Sequence, residues 1–468
     1  MRIHIAVFAS LLSATLPAHT VAQSSAEARA RATARTRMPP TTRTRVSHTE
    51  SAIPRTPAGD ALRSWIEAFN SADTVRVIAY AHRFEPDVAV GDEIGFRAQT
   101  GGFDLVDIAQ SHSRHIEFIV RERRSPMTAY GVLVVSAAAP HRVTARNFQP
   151  LGPNVRQTDL RIDSAVRART LTAAAALLDT FYVLPDVATR VADTLRARSA
   201  RGAYRHEANG ITFAMRLDDE LAKLTHDKHL HVMYSVHPLP RDSPAASGGT
   251  SSQRSPDDTR REQERLDAMN CGFAKVEVRP GNIGYVKVDM FADPMLCGAT
   301  AATKMTAIAG TRALVLDLRE NGGGEPAMVS YIASYLFDRR THLNDLWTRR
   351  TATTEEFWTR DSIPGERFGG EKPVYVLTSS RTFSGGEEFA YDLQSLKRAT
   401  VVGETTGGGA HPMASHRIDD HFMIAVPFAR PVNPVTHANW ESVGVAPDVK
   451  VPAADALAAV LRQLERMP

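Results

Sequence analysis

From Cys271 to the C-terminus, short and almost continuously apolar runs alternate with helix-like segments, and this pattern constrains the fold most tightly. Ile283–Val288, Ala313–Leu318, Val374–Leu377 and Thr400–Val402 read as strands. Ala299–Ile308, Ala327–Phe337 and Glu387–Leu396 read as helices, with Pro326 suited to a first helical turn. A strand wetted on one face alternates polar and apolar residues; one without that alternation is covered on both faces. Helical crossovers between such strands leave them parallel. The expectation for 269–468 is therefore an α/β core on a buried, largely parallel sheet.

The rest of the 468 residues divides by composition. Residues 1–22 read as a signal peptide: Arg2 gives the charged start, Ile5 to Leu16 the apolar stretch, and Thr20-Val21-Ala22 a small-residue site cleaved after Ala22. The apolar run is short for a membrane span, so the mature chain is expected to be soluble and secreted or periplasmic, a non-cleaved anchor being the alternative. Arg29, Arg31, Arg35, Arg37, Arg43 and Arg45 punctuate an Ala/Thr/Pro stretch over 23–59 that lacks the apolar residues for a core and reads as a linker. Residues 60–150 read as a small α+β domain. Leu62, Trp65, Ile66 and Phe69 share a helical face that Val75, Ile78 and Ala79 continue; strand-like His115–Arg121, Tyr130–Ala137 and Val143–Phe148 follow. Three apolar stripes at helical spacing mark 160–236 as a helical subdomain. A connection over 237–268 is rich in Pro, Ser and Gly, with a short charged helix at Asp257–Leu266.

Cys271 and Cys297 fit either one disulfide or two free buried thiols. The net charge of +4 is modest and its basic excess local, with no interleaved aromatics, which argues against nucleic acid. No Cys/His spacing of a metal site stands out, and no cofactor is expected.

Two glycine-rich junctions carry the chemistry. Asp317-Leu318-Arg319-Glu320-Asn321-Gly322-Gly323-Gly324 leaves a strand and enters a helix. It lacks the Gly-Lys-Ser/Thr of a nucleotide loop, and a pair of N–H donors for an oxyanion suits it better; a tight turn with an Asp317–Arg319 pair is the plain alternative. Thr378-Ser-Ser-Arg-Thr-Phe-Ser384-Gly-Gly-Glu-Glu388 likewise joins a strand to a helix. It exposes a serine where a helix N-terminus offers unpaired N–H groups, although Ser384 and Glu387 also read as a capping box.

These two motifs, with Val-Val-Gly-Glu-Thr-Thr-Gly-Gly-Gly-Ala at 401–410 and Trp440-Glu-Ser-Val-Gly-Val-Ala-Pro-Asp448, resemble the S41 peptidases in order and spacing across roughly 160–468. The resemblance implies a crotonase/ClpP-like β-α superhelical core. It is clearest to the branch of tricorn protease and interphotoreceptor retinoid-binding protein, since 236–272 leaves no room for a PDZ module. Residues 60–150 resemble NTF2-like (SnoaL-like) domains in pattern. Processing peptidases of the family pair the serine with a lysine 25 residues later; here that position is Gly409. The tricorn-like arrangement takes a histidine from an earlier domain and a late glutamate, and His229 and Glu441 match those positions.

The resemblance thus implies Ser384 as nucleophile, His229 as base and Glu441 as its acid, with Gly323 or Gly324 and Gly385 as oxyanion donors. A neutral imidazole is suited to deprotonating a hydroxyl, and a carboxylate to fixing its tautomer. The family's intermediary serine is replaced by Lys228, so either Asp227 orients His229 or Glu441 binds it directly. His226 and His231 compete as bases, and His411 either lines the cleft or is a solvated loop residue. The function implied is an exported serine peptidase acting through an acyl-enzyme on peptides or unfolded proteins. The alternatives are a non-catalytic carrier of an apolar ligand or peptide, and an esterase.

Overall fold

The computed structural model describes residues 53–239, apart from 87 and 89, and 255–466. The signal peptide and nearly all of the Arg-rich linker lie outside them, as do residues 240–254 of the Pro/Ser/Gly-rich connection. The chain divides into two compact units, which meet in sequence at Leu160 and Arg161.

The first unit opens with helices α1 (Pro57–Ser71), α2 (Thr74–Phe84) and α3 (Val90–Thr100). Strands β1 (Phe103–Ser111), β2 (His115–Glu122), β3 (Met127–Val135) and β4 (Val143–Pro153) then form an antiparallel meander in chain order. The expected continuous helical face does not hold. Ala72 adopts a left-handed conformation, Asp73 caps a new helix, and Val75 is 72% exposed. The buried face of α2 is instead Val77, Tyr80, Ala81 and Phe84. Trp65, Phe69, Phe103 and Phe118 fill the core. Arg146 is buried among them, bonded to Glu85 at 2.8 and 2.9 Å and also to Glu93.

The second unit begins with α4 (Ser164–Phe181), α5 (Pro185–Ala200) and α6 (Gly210–Thr225), followed by β5 (His231–Tyr234). Helix α7 (Pro256–Ala268) covers the charged segment, and β6 (Phe273–Arg279) and β7 (Ile283–Val288) form a hairpin. Then come α8 (Pro294–Thr306), β8 (Ala313–Asp317), α9 (Pro326–Ala333), β9 (His342–Thr348), β10 (Thr353–Trp358) and β11 (Val374–Thr378). The chain closes with α10 (Gly385–Ser395), β12 (Thr400–Gly403), β13 (Met413–Arg417), β14 (Phe422–Pro427), β15 (Ala429–Val432), β16 (Val449–Lys450) and α11 (Ala456–Glu465).

The central sheet has the order β16-β12-β11-β8-β7-β6 and is parallel except for β6 at its edge. Its apolar runs are explained residue by residue. Leu314, Leu316, Val374 and Val376 face one core with α8, α9 and α10; Ala313, Val315, Tyr375 and Leu377 face a second, which α11 closes. Successive residues of a strand point to opposite faces, so covering both faces demands an unbroken apolar string. Two three-stranded sheets, β10-β9-β15 and β13-β14-β5, complete the unit. Cys271 and Cys297 are joined in a disulfide with a Cα–Cα distance of 5.7 Å. Among the described residues no helix is long and apolar enough to cross a membrane.

Candidate active site

Ser384 stands between β11 and α10 with φ 52° and ψ −121°. A non-glycine residue in that region is strained, and strain of this kind is retained where the position of a side chain matters. The elbow is fastened on both sides. Phe383 N–H donates to Asn321 O at 3.0 Å, and Ser384 N–H donates to the Glu387 carboxylate at 3.0 Å. Glu387 is fully buried and also accepts from the Thr406 hydroxyl and from the N–H groups of Gly408 (2.6 Å) and Gly409 (2.8 Å). Burial pushes its carboxyl up, and these donors oppose that rise. The capping-box residue therefore ties the serine elbow to the glycine loop at 406–410.

The first glycine junction lies against the same elbow. A Cβ on Gly323 would sit 2.6 Å from Ser384 Cβ and 3.0 Å from Gly385 N, so only glycine lets the two loops meet. Gly323 N–H is already spent: it donates to Asn321 Oδ1 at 2.8 Å. Among the described residues the N–H groups of Gly324 and Gly385 have no hydrogen-bond partner. Asp317 and Arg319 form a structural pair, with Nε–Oδ1 at 2.9 Å and Nη2–Oδ2 at 2.6 Å.

His229 arrives from the turn after α6. It is 9% exposed, and its ring packs on Phe383 with centroids 4.7 Å apart. Burial pushes its pKa down to about 4, against the opposing pull of the Asp227 charge. The imidazole is thus neutral at neutral pH. A Cβ on Gly409 would meet Phe383 Cζ at 2.2 Å and His229 Cε1 at 2.9 Å. The ring edges therefore fill the space a side chain at 409 would need, the position held by lysine in the processing peptidases.

Of the competing histidines, one is committed to another carboxylate and the other faces solvent. His231 Nδ1 lies 3.0 Å from Asp218 Oδ1, and His226 caps α6 on an exposed turn with φ 58°. Lys228 is exposed, its ammonium on Gly407 O. Glu441 does not bond His229: Oε2 accepts from Ala410 N–H at 2.6 Å and His411 N–H at 3.3 Å, and burial pushes its carboxyl up. His411 is buried rather than solvated, with Nδ1 2.8 Å from Asp227 Oδ2. Asp227, His411 and Glu441 form the one described cluster with metal-ligating side chains in reach of one another. Their close atoms are already spent on mutual and backbone hydrogen bonds.

Comparison with known proteins bears on the family of the chain. A model described as Peptidase family S41 matches residues 282–451, and one described as the N-terminal domain of Peptidase S41 in eukaryotic IRBP matches 160–280. The chain is 31% identical over 187 residues to the chloroplastic C-terminal processing peptidase of Tetradesmus obliquus, covering 39% of this chain and 37% of that one. It is 29% identical over 171 residues to the carboxyl-terminal-processing protease of Synechocystis, covering 36% and 38%. The chain thus spans well under half the length of these curated relatives. Among solved structures, a Streptococcus agalactiae lipoprotein aligns over 67% of this chain and 99% of its own at TM-score 0.44 and 14% identity. The tricorn protease aligns over 77% and 42% at TM-score 0.40 and 13% identity. With the two family models lying end to end over residues 160–451, the chain belongs to peptidase family S41.

Proposed function

We propose that the chain is an exported serine peptidase that cleaves peptide bonds through an acyl-enzyme. Ser384 is the nucleophile, His229 the base, and the N–H groups of Gly324 and Gly385 hold the oxyanion. The observation that carries this reading is the His229 ring, neutral and packed against the strained serine elbow in the space left by Gly409.

In the first step Ser384 Oγ bonds to the carbonyl carbon of the substrate, its proton passes to His229, and the carbonyl electron pair becomes an oxyanion. Two unpaired N–H donors beside the serine suit that charge, each contributing on the order of a hundredfold or more in rate. Collapse of the adduct breaks the C–N bond, and His229 returns its proton to the leaving amine. Water then attacks the acyl carbon, giving a proton to His229; the bond from Ser384 Oγ to that carbon breaks, His229 returns the proton to Oγ, and the acid product leaves. The Cys271–Cys297 disulfide fits an oxidising compartment and so supports export.

Intact-mass labelling of the full chain with a fluorophosphonate tests this. One adduct is expected, lost in Ser384→Ala and in His229→Ala. No adduct on the folded wild-type protein would overturn the assignment, and an adduct that survives His229→Ala would remove His229 as the base.

A further inference from the structure

Taking up the serine proton makes His229 an imidazolium, yet its Nδ1 is buried without a hydrogen-bond partner among the described residues. The late glutamate does not meet that need. Glu441 Oε2 is bonded to the main chain at 410 and 411, and its Oε1 is buried with no partner among the described residues. The negative charge that acts on the His229 ring is that of Asp227.

Asp227 is 2% exposed and used at both oxygens. Oδ1 accepts the His229 main-chain N–H at 3.0 Å. Oδ2 accepts the Tyr182 hydroxyl at 3.2 Å and meets His411 Nδ1 at 2.8 Å. The same Nδ1 lies 3.6 Å from Glu441 Oε2. Glu441, His411, Asp227 and His229 therefore form a continuous chain of contacts from three separate segments. Lys228 stands where the family's intermediary serine is expected, and its ammonium is turned to Gly407 O.

We propose that Asp227, linked to Glu441 through His411, is the positioning residue of the His229 base. Asp227 fixes the main chain of His229 and supplies the charge that answers the imidazolium. His411 donates Nδ1–H to Asp227, keeps that carboxylate ionised against its burial, and joins it to Glu441. Burial alone raises a carboxyl; the bond and charge of His411 are the largest opposing influences, and the net result for Asp227 is a lowered pKa. The other titratable groups facing this chain are Tyr182 and His231, the latter committed to Asp218. The inference rests on the reading of Ser384 and His229 as nucleophile and base.

The test is the second-order rate of fluorophosphonate labelling at Ser384, measured on the full chain against pH. Asp227→Asn is expected to lower the plateau by about a hundredfold, and His411→Ala by about tenfold. The acid limb moves in opposite directions. Loss of the Asp227 charge shifts it to lower pH, because that charge raises the His229 pKa; loss of His411, which lowers it, shifts the limb up. His411→Asn keeps an N–H donor near the place of Nδ1 and restores most of the rate. Glu441→Gln costs less than Asp227→Asn.

A larger cost for Glu441→Gln than for Asp227→Asn overturns the proposal. So does a lowered plateau with an unmoved acid limb in Asp227→Asn, which would mark a purely structural role. Wild-type protein that never labels at Ser384 removes the nucleophile itself; a labelled wild type matched by Asp227→Asn removes only the role given to Asp227.

Discussion

In the first unit Arg146 lies between Glu85 and Glu93 beneath Trp65, with Tyr80 on Glu85 and the Trp65 indole on Glu93. In the second, His229, Asp227 and His411 are buried almost as deeply, but the accounting is incomplete. His229 Nδ1 and Glu441 Oε1 lack partners, and the N–H groups of Gly324 and Gly385 stand free among the described residues. A buried ion group bonded to its counter-charges fixes a core and leaves little for a ligand. An unanswered buried polar group costs about 1–3 kcal/mol, a cost retained where the missing partner arrives with the reaction. Under the proposed function, the first network is structural and the second chemical.

The largest expected effect separates chemistry from stability outright. Ser384→Ala should abolish turnover, a loss on the order of a millionfold in serine enzymes, while the cooperative melt stays close to wild type. A comparable loss of stability would mean that the elbow is a cap and not a nucleophile. The next perturbation addresses the other unit. Arg146→Ala strands two buried carboxylates and should destabilise the first unit by about 3–5 kcal/mol, read by chemical denaturation. Replacing Arg146, Glu85 and Glu93 together by apolar residues of similar volume should cost much less, since no charge is left unpaired. An equal cost for both variants would break the distinction between satisfied and unsatisfied networks.

The pH dependence of stability sharpens the same contrast. The folded pKa of His229, about 4, lies below its ordinary value, so the folded state resists protonation. Its contribution is fully present above the unfolded pKa of about 6.5 and is lost as pH falls toward about 4. The loss amounts to roughly 3 kcal/mol, and His229→Gln should remove that slope from unfolding free energies measured across the interval. An unchanged slope would place the histidine in solvent.

How much of this was legible in the sequence follows from the range of each contact. Almost unbroken apolar strings announced β7, β8, β11 and β12, because coverage of both faces is written into nearly every residue of such a strand. The strand β10, Thr-Thr-Glu-Glu-Phe-Trp, gave no such signal, since most of it is exposed on a three-stranded sheet. Ser384 and the glycines could be read because strand-to-helix junctions are local. The role of Glu387 was visible only as a cap, and its bonds to Thr406, Gly408 and Gly409 depend on how the loops fold together. The Asp227–His411 bond joins residues 184 positions apart, beyond the reach of any spacing argument. The Asn321 side chain that claims Gly323 N–H lies within the motif itself, where a conformation-specific bond has no sequence signature.

The smallest effect bears on the contact that holds the proposed base in place. Gly409→Ala introduces a Cβ 2.2 Å from Phe383 Cζ and 2.9 Å from His229 Cε1, so the Phe383 ring must shift and the imidazole resting on it must follow. Overpacking of this kind costs about 1–3 kcal/mol. A displaced base costs reactivity as well, and labelling of Ser384 should slow by about tenfold to a hundredfold. Gly310→Ala, where nothing lies within 4 Å of the added methyl, is the control and should change neither quantity. Phe383→Leu in the Gly409→Ala background relieves the aromatic clash while leaving the imidazole displaced, so stability should recover further than rate. If rate and stability recover together, the loss lay in the Phe383 packing alone. If Gly409→Ala lowers stability yet labels at the wild-type rate, the contact with His229 does not position a base, and the chemical reading of the second network loses its central residue.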